Sequence, residues 1–220
     1  MRTPLTLTLL GLAALALVAV AVLPGYASSE ASPTEVPVVS AEPGDTAPDF
    51  TLADTYGETH TLSDYAGEWV VLEWLNYDCP YVRKHYNSDT MQRLQEHATE
   101  QGAVWLSIVS SAPGEQGHFS NDEMNARTEA HGGHQTAVLI DEPGTVGRAY
   151  GARTTPHMFI INPDREIVYN GAIDDRPTPD PASLEGAINY VRQALHAAMN
   201  GEEVATARTQ PYGCSVKYAR

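Results

Sequence analysis

The chain has 220 residues, with 28 acidic against 13 basic side chains and a formal net charge of −15. That length leaves room for one good-sized domain once terminal segments are set aside. The acidity argues against nucleic acid or an anionic membrane surface as a partner, and fits either a salt-adapted surface or a plain solubility charge.

Arg2 gives a short positive start, residues 5–23 are almost wholly apolar, and a turn with small residues follows at 24–28. This is the layout of a secretory signal peptide over residues 1–27, with an uncleaved N-terminal anchor as the alternative because the apolar run nearly spans a bilayer. The protein is therefore expected to be exported, periplasmic or otherwise extracytoplasmic, and to meet a membrane only if the segment stays attached. Residues 28–46 are rich in Ser, Ala, Pro, Glu and Thr and read as a flexible linker.

From residue 47 the pattern alternates strand and helix. Short extended pieces are expected at 49–52 and 58–62 around the Tyr56-Gly57 turn. The run Trp-Val-Val-Leu-Glu-Trp-Leu at 69–75 predicts a buried strand. Pro80 suits the first turn of a helix, which should pause near residues 87–89 and resume to Gly102. A second buried strand is expected at 104–109, and Ser120 with Glu123 has the form of a capping box that opens a helix to about His131. A strand at 137–140 and a short helix at 145–150 come next. A hairpin follows at 158–161 and 166–169, turning at Asn162-Pro163-Asp164. Asp180-Pro181 should start a last helix with Leu184, Ile188, Val191 and Leu195 on one stripe. The result is an α/β domain over 47–200, a mixed central sheet covered by helices. Residues 201–220 read as an irregular tail that carries Cys214.

The chemistry centres on Cys79. It follows a buried strand and precedes Pro80, which makes it the expected N-cap of a helix, where free N–H groups and the helix dipole favour thiolate. Arg83, Lys84 and His85 add positive charge and Asp78 opposes it. A thiolate is the nucleophile, so a reactive cysteine belongs here, against the alternative of a buried structural cysteine. The second cysteine is Cys214, roughly 135 residues further on; a bond between the two would stabilise by about 4–5 kcal/mol on the loop-entropy model. In an oxidising compartment Cys214 is either a structural tie or a resolving thiol. His131, His134 and the Asp174-Asp175 pair read as polar loops, so no metal and no cofactor are expected.

Asp-Cys-Pro-Tyr at 78–81 after an apolar strand, with Thr-Thr-Pro-His at 154–157 before another, resembles the thioredoxin superfamily. Ala-Pro-Asp-Phe-Thr-Leu at 47–52 and Leu-Ser-Asp-Tyr-Ala-Gly at 62–67 are similar to its redoxin, or alkyl hydroperoxide reductase and thiol-specific antioxidant, branch. The stretches 73–86, 104–107, 147–152, 171–175 and 212–218 are similar to a peroxiredoxin-like bacterial subgroup. The resemblance covers about residues 45–218. It implies a thioredoxin-like three-layer sandwich and thiol oxidoreductase chemistry on a protein thiol or disulfide client, or on a small peroxide, with a separate reductant.

By that resemblance Cys79 is the nucleophile and Glu73 a buried proton shuttle, the alternative being a solvated acid at a sheet edge. Pro156 is a cis proline packed against the cysteine, and Cys214 is the candidate resolving thiol. Pro80, Tyr81 and Thr155 are the expected substrate contacts. Two departures stand out. Peroxidases of this group carry Thr or Ser three residues before the cysteine and Pro seven before it; here those positions are Asn76 and Leu72. Thioredoxins carry a second cysteine three residues after the first; here it is Val82. A non-catalytic module of the same fold, holding a metal or a partner protein, is the competing expectation.

Overall fold

The computed structural model describes residues 41–219. The expected export segment and residues 28–40 of the expected linker lie outside the described residues. Residues 41–46, also assigned to the linker, are instead built into the fold. Ala41 is buried, Gly44 N–H donates to the Ile167 carbonyl at 2.8 Å and Ala47 N–H to that of Arg165 at 2.8 Å. Gly44, at φ +94°, makes the turn that lays this stretch along the hairpin, a conformation its missing Cβ permits.

In chain order the elements are β1 (Thr51–Ala53), β2 (Thr59–Thr61), a 3-10 turn (Leu62–Tyr65), β3 (Val70–Trp74), α1 (Pro80–Tyr86), α2 (Thr90–Glu100) and β4 (Val104–Val109). Then come α3 (Asn121–His131), β5 (Ala137–Ile140), α4 (Thr145–Ala149), β6 (Thr154–Thr155), β7 (Met158–Ile161) and β8 (Ile167–Gly171). A second 3-10 turn (Pro181–Leu184), α5 (Tyr190–Met199) and β9 (Cys214–Ser215) complete the chain. The central sheet runs β5-β4-β3-β7-β8. Strands β3, β4 and β5 are parallel, joined by helical crossovers; β7 runs antiparallel to β3, and β8 pairs antiparallel with β7 at the edge.

Alternation along β3 divides the core. Val71, with Trp105 and Ile160, faces the layer of Leu94, Ala98, Val191 and Leu195 from α2 and α5. Val70, Leu72 and Trp74, with Leu106 and Phe159, face Phe50, Val146 and Tyr150 on the other side. Both faces are covered, which is why the strand reads as an unbroken apolar run. This is the mixed-sheet, three-layer thioredoxin arrangement. Ser120 makes the expected capping box: its hydroxyl accepts from Glu123 N–H, and the Glu123 carboxylate accepts in return from Ser120 N–H.

The expected final helix differs. Gly186, at φ +67°, breaks it after the 3-10 turn, and α5 starts anew with the Asn189 side chain capping Arg192 N–H at 2.9 Å. Val191 and Leu195 are buried as expected, but Ile188 is 45% exposed because it precedes the helix.

Candidate active site

Cys79 sits at the N-cap of α1, after a turn in which Asn76 Oδ1 accepts from Asp78 N–H at 2.9 Å. Its relative exposure is 0%. The expectation that α1's N–H groups would hold the sulfur is corrected: no side-chain cap bond forms. The thiol turns instead to the loop before Pro156 and donates to the Thr155 carbonyl at 3.0 Å. Thr155–Pro156 is a cis peptide. Val82, where a second cysteine of a dithiol motif would stand, is fully buried core. Tyr81 is half-buried, and Pro80 exposed, on the helix turn beside the thiol.

The loop carrying Pro156 is fastened by a residue that sequence reasoning missed. His157 is buried; its Nδ1 accepts from Arg153 N–H at 3.3 Å, so Nε2 carries the proton toward Asn170 Oδ1 at 2.8 Å. Burial holds its pKa down to about 4, so the ring is neutral. A histidine directly after Thr-Pro, in an otherwise apolar strand, was the available signal.

The tail is the largest difference from expectation. It is irregular over most of its length but is not free to swing. Strand β9 pairs antiparallel with β6, setting Cys214 opposite Thr155 and Ser215 opposite Thr154. Val216 N–H donates to Arg153 O at 3.0 Å, Ala112 N–H to Lys217 O at 2.8 Å, and the Tyr218 hydroxyl to Ala152 O at 2.8 Å. Gly213 permits the approach: at φ +142° it lies against the Thr155 carbonyl, where any Cβ would overlap that oxygen. Cys214 thereby stands opposite the residue whose carbonyl holds the Cys79 thiol, which makes the two cysteines neighbours. The Cys214 pKa is pushed up to about 12, by burial first and then by the Cys79 sulfur. Both thiols are free in this structure.

The charges expected around Cys79 are also placed differently. Arg83 is exposed, and Asp78 pairs with Arg127 at 3.1 Å. Lys84 and His85 are buried and belong to a polar cluster with Asp174, which is itself buried rather than on a solvated loop. Lys84 Nζ donates to Asp174 Oδ2 at 3.4 Å, to the Arg176 carbonyl at 2.7 Å and to the Tyr212 hydroxyl at 3.0 Å. Tyr212 O–H donates to Asp174 Oδ1. With that proton committed, His85 Nε2–H donates to the Tyr212 oxygen at 3.3 Å, which leaves Nδ1 without a partner. Burial, then the neighbouring Lys84, holds the His85 pKa down to about 3. Burial lowers that of Lys84, with Asp174 acting against it. The reason for the difference is helical geometry: residues five and six past Cys79 lie more than one turn along α1, where the side chains meet the tail.

Glu73 is fully buried, and so is not at a solvated edge. Its carboxylate accepts from Trp105 Nε1 at 3.0 Å, Ser107 Oγ at 3.0 Å, Gln95 Nε2 at 3.2 Å and the Tyr86 hydroxyl at 3.1 Å. Burial raises its pKa while these four donors lower it, and the net direction is upward. Among the described residues, Asp54, Glu58 and His60 have metal-ligand spacing, but Asp54 Oδ1 is taken by Tyr56 N–H at 2.9 Å and Glu58 N–H at 2.8 Å.

Thiol-disulfide oxidoreductase ResA of Geobacillus kaustophilus (strain HTA426) is 29% identical over 131 residues, covering 56% of this chain. The match spans 66% of that relative's length, just under two thirds. Thioredoxin peroxidase of Fasciola hepatica is 27% identical over 173 residues, covering 73% of this chain and 84% of the relative. An uncharacterized conserved protein from Geobacillus kaustophilus has a similar structure, with TM-score 0.70 at 26% identity over 81% of this chain and 93% of its own. The family model described as AhpC/TSA family matches residues 43–170, more than half of the chain, and this protein belongs to that family.

Proposed function

We propose that this protein is an exported thiol–disulfide oxidoreductase in which Cys79 and Cys214 form the redox pair. The observation that carries the proposal is the β6–β9 ladder, which sets Cys214 opposite Thr155, the residue whose carbonyl accepts from the Cys79 thiol. It supplies from the C-terminus the partner thiol that Val82 cannot. In the proposed cycle the Cys79 thiolate attacks one sulfur of a client disulfide, forming a mixed disulfide and expelling the other client sulfur as thiolate. Cys214, deprotonated, then attacks the Cys79 sulfur. That expels the second client thiolate and leaves a Cys79–Cys214 disulfide. Two electrons pass to the client, both client thiolates take up protons, and a separate dithiol reductant restores the pair.

Pro80, Tyr81 and Thr155 border the thiol and are the proposed client contacts. Pro156 sets the backbone edge at which a client strand pairs. Glu73 serves the site from beneath. Its donors tie β3 to β4, α1 and α2, which favours a holding role over proton transfer at Cys79. The peroxide alternative has less support, because the Asn76 side chain is committed to Asp78 N–H and, at 3.2 Å, to the Gln116 carbonyl. Export rests on the N-terminal sequence and suits a disulfide cycle. Among the described residues no helix is long and apolar enough to cross a membrane.

Mass mapping of the protein equilibrated in glutathione redox buffers tests the reading, together with an insulin-reduction assay. A reversible Cys79–Cys214 disulfide is expected, with Cys214→Ser accumulating mixed disulfides at Cys79. Absence of that disulfide under oxidising conditions, with no turnover, would favour the non-catalytic binding module.

A further inference from the structure

Cys79 has no exposed surface, so no client disulfide reaches it in the conformation described. The tail is the part of its cover that can leave. Residues 207–209 of the tail bond to Asn170 on the β8 edge, but beyond them β9 pairs with β6 alone. Nearly every residue of 201–219 is at least partly exposed, so little apolar burial fastens the segment. Past Thr209, whose hydroxyl accepts from Ala172 N–H at 2.8 Å, the polar attachment nearest Cys214 is Tyr212. The Tyr212 hydroxyl enters the buried cluster of Lys84, His85 and Asp174, and the ring lies 5.8 Å from that of Tyr81 between centroids. Tyr212 stands two residues before Cys214 and Lys84 five residues after Cys79. The cluster therefore joins the two segments that carry the thiols, close to each thiol. It also holds a charged pair away from solvent, where hydrogen bonds to charged groups are stronger than neutral ones.

We infer that Tyr212, gripped by Lys84, His85 and Asp174, is the positioning residue that holds Cys214 over Cys79, and that a client reaches Cys79 only when this grip opens. The inference rests on the proposed function in taking Cys79 as the reacting thiol. Opening admits the client disulfide. Re-closing returns Cys214 to the Cys79 sulfur, so the same contact that excludes clients at rest completes the exchange.

The test is iodoacetamide labelling of the reduced full-length chain at several low urea concentrations, with Cys79 and Cys214 quantified separately by peptide mass. In the wild type Cys79 is expected to label slowly. Tyr212→Phe keeps the ring and removes the grip; it should speed Cys79 labelling by roughly tenfold or more, the scale of a lost hydrogen bond to charged groups. The urea dependence should stay shallow, because opening the tail exposes little surface. Asp174→Asn, which keeps the cluster's shape, should act in the same direction and serves if Tyr212→Phe does not fold. Wild-type labelling rates in the folded variants would overturn the inference, as would a urea dependence equal to that of complete unfolding. Labelling needs no disulfide, so its outcome stays separate from failure of the redox pair to form.

Discussion

Thr155 serves both cysteines at once: its carbonyl accepts from the Cys79 thiol at 3.0 Å, and the same residue lies opposite Cys214 in the β6–β9 ladder. One backbone position thus sets the separation of two sulfurs far apart in the chain. The relation depends on Gly213, whose missing side chain lets the tail's backbone lie against that carbonyl.

Gly213→Ala should therefore dislodge the tail locally. The new methyl meets a backbone oxygen that cannot move aside cheaply, in a backbone conformation that disfavours any side chain. A loss of more than about 1 kcal/mol is expected. Amide hydrogen exchange should quicken at Val216 and Ala112, which bond to Arg153 and Lys217, and stay unchanged in β3 and β4. Uniformly faster exchange would contradict a local role.

Glu73→Gln replaces an acceptor of four donors by an amide whose NH₂ faces some of them. Leaving at least one buried donor unpaired should cost about 1–3 kcal/mol in urea unfolding. If Glu73 is a holding group, the rate of thiol exchange per folded molecule should change little. A large rate loss with a shifted pH profile would restore it as a proton shuttle.

His157 links folding to acid. Its pKa in the folded state is depressed to about 4, whereas an unfolded histidine titrates near 6.5. The unfolded chain binds the extra proton between those values, so this group's contribution is intact above pH 6.5 and is lost as pH falls toward 4. The full loss is about 3 kcal/mol. His85, held down to about 3, acts in the same sense, while Glu73, raised, opposes both above the ordinary carboxylate range. Urea titrations across pH 4–7 should show a shallower acid slope for His157→Gln than for the wild type; equal slopes would remove His157 as the source.

The strands of the central sheet and the cysteine–proline junction were legible in the sequence because each is a local signal. Apolar runs of β-branched residues mark strands buried on both faces, Ser120 with Glu123 marks a helix start, and Pro80 after Cys79 marks another. The final helix was misjudged at Gly186 because a helical stripe across Leu184 and Ile188 is also compatible with a turn. What the sequence by itself determined was the sheet, its helical cover and a nucleophile-bearing cysteine at a strand–helix junction. The tertiary structure alone decided the rest. It turned Cys79 toward Thr155 rather than its own helix, drew Lys84 and His85 away to Asp174 and Tyr212, and pinned an irregular tail so that Cys214 meets Cys79. These are contacts between segments 70 to 130 residues apart. They depend on where a glycine leaves room and where a buried charge needs a partner, and neither condition has a period or spacing that a linear reading can detect.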